Sequence, residues 1–280
     1  MLILAVLILP LTPALAQKQK TLTPPAPPKL SRTTIRNETR RLGYGGTVTI
    51  VGAPDGSITV EGWTRNEVEV RAEIQVRADS EKDLDQLASV NGLLLDEDLN
   101  HIRVMTTGMH DRAYMKKVAK NFPKKLLGLP WKIDYRIRVP AVTDLDINGG
   151  RGAVNVSGVD GNIHIYSPQS EVGLQLAGGV LSTTVGAGNV TLKVLERSWR
   201  RGSVEIAVAA GNITLELPAG YNGDLDADIL RTGQIESTYE NFESREKPGI
   251  TSQHVKARIG SGGGFIKLTV GDGKIVIRKQ

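Results

Sequence analysis

The chain has 280 residues, enough for one large β domain or two smaller ones with real cores. Aromatic content is only 4% and Gly is abundant, so a core must be built mainly from Val, Ile and Leu in thin stacked layers. The absence of Cys excludes disulfides, thiolate metal sites and a cysteine nucleophile, and a formal charge of +5 is too mild to imply nucleic-acid binding.

Residues 1–16 are apolar and end in Ala14-Leu15-Ala16, the small-residue pattern of a secretory signal peptide cleaved before Gln17. Pro10 and Pro13 and the short length argue against a membrane-spanning helix. Residues 17–32 are rich in Lys, Thr and Pro, read as a semi-rigid linker, and the folded part is expected from Thr33. Localisation follows: exported, to periplasm, cell envelope or the exterior.

Residues 33–140 read as a β-rich part. Gly46 to Ile50 and Gly56 to Val60 alternate as strands, and the Asp55-Gly56 turn predicts that they pair with each other. Glu67 to Val76 alternates charged and apolar residues, one wet face and one buried. At Ser80 the period changes: a Ser N-cap, Asp83 three positions on, and Leu84, Leu87 and Ala88 predict one short helix near residues 80–90, stopping by Gly92. His101 to Thr106 returns to strand.

From Arg112 to Arg138 nine basic residues face one acidic residue, a local +8 that leaves −3 on the rest. Tyr114, Val118, Phe122 and Leu126 recur every four residues, which predicts an apolar stripe on a basic helix, cut short by Pro123. Lys116, Lys117, Lys120, Phe122, Lys124, Lys125 and Trp131 are the candidate contacts of this segment with a partner or an anionic membrane surface, Phe122, Leu126, Leu127 and Trp131 dipping into the lipid interface. The plain alternative is a loop covering one end of the β core.

Trp131 to Pro140 is a strand that leads into residues 141–280, where a phrase of Gly, any residue, apolar, polar, apolar returns. Its starts at 152, 161, 170, 179 and 188 are nine residues apart, with Ser170 in one Gly slot, and the phrase recurs at Gly211. Fixed-period self-similarity implies stacked copies of one unit. The fold class is therefore all-β: a β-solenoid or β-helix-like stack of short Gly-initiated strands, continuous with the preceding part. Asp160-Gly161 favours the alternative, an antiparallel β-sandwich or meander. Thr183 breaks the apolar pattern, and Asp272-Gly273 predicts a tight turn between two last strands.

The succession of Gly62-Trp63, the strand Tyr135 to Pro140, and Leu145 to Val156 resembles the bacterial putative-adhesin domain family, over roughly residues 40–278. The resemblance implies a β-helix-like envelope or surface protein without catalytic residues to carry over.

Chemistry finds little support. Gly149 to Val154 has the glycines of a calcium-binding roll, but Arg151 and Val154 replace its acidic ligands. Asp224, Asp226 and Asp228 project from one strand face about 7 Å apart, and a solvated outer face explains them better than a metal or glycosidase pair. His101, His110, His164 and His254 show no ligand spacing. The residues thus assign no catalytic, cofactor-binding or metal site, no cofactor and no nucleic-acid partner. They point to a non-enzymatic envelope protein with a structural, adhesive or interaction role toward a protein or glycan. The alternatives are a carbohydrate-active enzyme on a β-helix, or a peripheral membrane-surface binder.

Overall fold

Alternating Val, Ile and Leu at two-residue spacing puts one face of each strand in the core, and a Gly at each corner lets the chain turn onto the strand below. The computed structural model describes residues 28–195, 202–239, 242–245 and 250–280. The expected signal peptide and most of the expected linker lie outside the described residues. The first strand begins at Leu30, inside the expected linker, because it finds a partner strand along its whole length.

In chain order the first elements are β1 (Leu30–Arg41), β2 (Thr47–Val51), β3 (Ile58–Trp63), β4 (Glu67–Ala78), α1 (Glu81–Val90), β5 (Gly92–Asp98) and β6 (His101–Thr107). Next come α2 (Arg112–Val118), a 3-10 turn (Lys124–Leu126), β7 (Trp131–Pro140), β8 (Asp144–Asn148) and β9 (Val154–Ser157). The repeats continue with β10 (Asp160–Gln169), β11 (Val172–Leu176), β12 (Gly178–Ala187), β13 (Val190–Val194), β14 (Ser203–Ala210) and β15 (Ile213–Leu217). The chain closes with β16 (Gly223–Ser237), β17 (Phe242–Ser244), β18 (His254–Ile259) and β19 (Gly264–Lys279).

Successive strands alternate between two parallel ladders. One runs β6, β2, β8, β10, β12, β14, β19 and β16, and the other β7, β3, β9, β11, β13, β15, β19 and β16. Two nine-residue phrases therefore make one circuit, and stacked residues differ by 18 in number, as Asn162 over Asp144. The offset becomes 23 between Asn189 and Asn212, the extra residues falling between β13 and β14. The pairings that the sequence left open divide by position: the repeats are parallel, and antiparallel ladders (β1–β4, β4–β7, β5–β6, β16–β18, β17–β18) lie at the ends.

Two turn expectations are corrected by this topology. β2 and β3 do not pair across Asp55-Gly56; each joins a different ladder, because Gly56 turns a corner rather than a hairpin. Likewise the residues around Asp272-Gly273 are one strand, β19, whose first half pairs with β14 and second half with β15. The corner is close-packed: a Cβ on Gly211, whose φ is +144°, would lie 1.8 Å from the carbonyl oxygen of Gly188 beneath it. Ser170 fits the same column because its hydroxyl turns inward to Ser167 and to the carbonyl of Gly150. Beside the glycines the Asn side chains stack: the Asn189 amide oxygen accepts from the Asn212 backbone at 3.0 Å, and that of Asn212 accepts from the Lys274 backbone at 2.9 Å.

The core consists of columns, one residue per circuit. Val48, Leu145, Ile163, Leu181, Val204 and Ile266 form one, facing Ile58, Val154, Val172, Val190, Ile213 and Ile275, all nearly inaccessible. Thr183 stands in a column between Ile165 and Ile206, and its hydroxyl has no hydrogen-bond partner among the described residues. Ser80 caps α1 as expected, accepting from the Asp83 backbone at 3.2 Å. α1 seals a second cluster of Leu84, Leu87, Val90, Met109, Met115 and Leu126 at one end, where Arg32 of β1 pairs with Glu81 at 2.7 Å.

Candidate functional site

Two groups of side chains stand apart from the stacked core, the basic segment and the carboxylate row of β16. Asp111 starts α2 by accepting from the backbones of Ala113 at 2.8 Å and Tyr114 at 3.0 Å. These bonds, the one from Tyr114 first, hold its carboxyl below the usual carboxylate value. The helix stops at Val118, earlier than the four-residue stripe requires, and Pro123 opens the 3-10 turn instead. The stripe therefore does not lie on one helix face: Leu126 is buried, Tyr114 and Phe122 are half-buried, Val118 is exposed, and Met115 fills the inward position.

Of the candidate contacts, Lys116, Lys117, Lys120, Lys124 and Lys125 are exposed. Lys125 is held by Asp83 at 3.0 Å, which ties the turn to α1, and neighbouring Lys132 by Asp134 at 2.6 Å. Phe122 and Trp131 are half-buried, Trp131 stacking on His110 with ring centroids 5.4 Å apart. Of the four residues expected to dip into lipid, only Leu127 stands exposed, because the other three are packed against α1 and its neighbours. An open cavity of about 730 Å³ lies between α2 and the turn, lined by Met109, Met115, Ala119 and Phe122 together with Arg112, Lys116, Lys120 and Lys124. Lys117 points into a second hollow of about 780 Å³ on the other side of α2, with Tyr114 and His110.

The carboxylate row is more engaged than a solvated face. β18 runs antiparallel to β16 and sets Arg258, Lys256 and His254 opposite Asp224, Asp226 and Asp228. Asp224 accepts from Arg245 at 2.9 Å and Arg258 at 3.3 Å, and Asp228 meets His254 Nδ1 at 2.5 Å. One oxygen of Asp226 is buried without a hydrogen-bond partner among the described residues. Asp226, Asp228 and His254 offer ligand atoms within 4.8 Å of one another, a set that could hold a cation. Against that, Asp226 lies in register between Lys256 and Lys267, whose ammonium groups oppose further positive charge. The sequence missed His254 here because it joins the row only through the antiparallel register, 26 residues away from Asp228.

The repeats' outward positions form a further surface. Across the first ladder Thr49, Asp146, His164, Ser182, Glu205 and Lys267 stack in one row. Neighbours along it engage one another: His164 lies 3.3 Å from Asp146, and Lys267 pairs with the oppositely charged Glu205 at 2.9 Å. The glycine-rich stretch of the calcium-roll reading is likewise occupied, Arg151 reaching Asp55 at 2.8 Å.

No family model matches the chain, and no curated protein matches it. Among solved structures, a putative cell adhesion protein from Clostridium sporogenes aligns over 88% of this chain and 100% of its own, at 11% identity and a TM-score of 0.47. A putative adhesin from Bacteroides fragilis aligns over 88% and 97%, at 12% identity and a TM-score of 0.31. One from Parabacteroides merdae aligns over 88% and 96%, at 10% identity and a TM-score of 0.20. These descriptions agree with the family that the sequence resembles.

Proposed function

We propose that the chain is an exported, non-enzymatic cell-envelope protein that acts as a β-solenoid scaffold, presenting its stacked polar rows to a surface partner, protein or glycan. The observation that supports this is the outward row of the first ladder: one polar or charged residue per circuit, in register from Thr49 to Lys267, with Lys267 paired to Glu205. A face of that kind is rigid and nearly neutral, and it gathers affinity from many weak contacts, as solenoids do. The carbohydrate-active reading needs a carboxylate pair flanking a cleft. In the row of β16, Asp224 and Asp228 are instead engaged by Arg245, Arg258 and His254.

The test is capture of an envelope partner by the wild-type chain and by a variant with Asn155, Thr191 and Thr214 of the second ladder and His164 and Ser182 of the first changed to Lys. Loss of capture at an unchanged melting temperature supports the reading. Hydrolysis of an envelope glycan that is abolished by Asp226→Asn or Asp228→Asn would overturn it in favour of the enzyme.

A further inference from the structure

The cavity beside α2 combines an apolar floor with a cationic rim. Met109 and Met115 are each only 9% exposed, and Phe122 is half-buried, so the floor is recessed. Flexible methionine side chains suit a tail of variable shape. The rim carries Arg112, Lys116, Lys120 and Lys124, and none of the four has an ion-pair partner among the described residues. Lys125 and Lys132 of the same segment differ in this respect, being paired with Asp83 and Asp134.

This pairing of surfaces narrows the occupant. A neutral apolar ligand would leave four cations uncompensated, and a polyanion would leave the apolar floor unfilled. Leu127, at 49% exposure, lines the edge of the cavity, whereas the methionines of its floor are nearly inaccessible. The ligand must bring its own tail inward. A volume of about 730 Å³ lies within the range of small-molecule sites. We propose that the cavity binds a monomeric, single-chain anionic amphiphile, its acyl tail on Met109, Met115 and Phe122 and its carboxylate or phosphate among the four rim cations.

The experiment is calorimetric titration of the full chain with sodium octanoate, decanoate and dodecanoate below their micelle concentrations. Affinity is expected to rise about tenfold for each two methylenes, the increment of tail burial. Lys116→Glu with Lys120→Glu, both exposed and unpaired, is expected to weaken dodecanoate at least about tenfold at an unchanged melting temperature. Ala119→Trp, which fills the cavity, is expected to abolish it. Equal affinity for dodecyltrimethylammonium, or indifference to the Lys reversals, would overturn the proposal. So would adsorption to phosphatidylglycerol vesicles without any binding of monomeric dodecanoate, which would assign the surface to a membrane.

Discussion

Replacing Gly211 with Ala tests whether corner glycines set the spacing of the circuits. The new Cβ would sit 1.8 Å from the Gly188 carbonyl oxygen, where real Cβ contacts stay beyond 3.0 Å, so the corner must open by more than an ångström. The bonds that hold it are short: Gly188 N to Ala210 O at 3.0 Å, Val190 N to Asn212 O at 2.8 Å and Gly211 N to Asp272 O at 2.9 Å. An opening of that size breaks about two of them, at about 1 kcal/mol each. Forcing a side chain onto a φ of +144° adds about 1 kcal/mol. The expected loss is therefore about 3 kcal/mol. Gly220→Ala is the control, since its φ is +80° but nothing lies within 4 Å of the added Cβ, leaving about 1 kcal/mol. Urea unfolding of both variants, compared at a common m-value, measures the difference. If Gly211→Ala is no more destabilising than Gly220→Ala, the corners do not govern stacking and the reasoning fails.

Three further predictions follow from other positions. Thr183→Val keeps the shape while removing a buried hydroxyl without a partner, and should stabilise by about 1 kcal/mol in the same urea assay; destabilisation would mean that the hydroxyl is satisfied. Asp272 is held down to about 2, first by the Arg231 guanidinium and then by the Thr232 hydroxyl. A carboxyl lowered in the folded state stabilises above its unfolded value and loses that contribution as pH falls toward 2. NMR titration should find the Asp272 carboxyl raised toward the ordinary Asp value in Arg231→Gln, and an unmoved titration would remove Arg231 as the cause. Mass spectrometry of protein recovered from the envelope should find Gln17 at the amino terminus, whereas an intact Met1 would contradict export through a cleaved signal.

Much of the local structure was legible in the sequence. The Ser80 cap and the 3.6-residue periodicity after it located α1 to within a residue of its end, since both signals depend on neighbours along the chain. The nine-residue phrase gave the strands and their inward columns for the same reason, and Ser170 was recognisable as the exception. Turn pairs misled at Asp55-Gly56 and Asp272-Gly273 because a Gly after Asp permits a hairpin and a corner between two parallel ladders alike. The four-residue stripe from Tyr114 overstated α2, since Pro123 and the pull of the second cluster on Met115 and Leu126 end the helix at Val118.

What the sequence by itself determined is the alternation, the corners, the cap and the local surplus of positive charge. Each is written in contiguous residues, where backbone sterics and hydrophobic periodicity act over a few positions. Only the tertiary structure decided which strands pair and in which direction, and so whether two phrases close one circuit. It also brought His254 across from another strand to Asp228, and set Met109, Met115 and Phe122 as a floor beneath Arg112, Lys116, Lys120 and Lys124. Those neighbours meet through register and packing between distant segments, which no local pattern encodes.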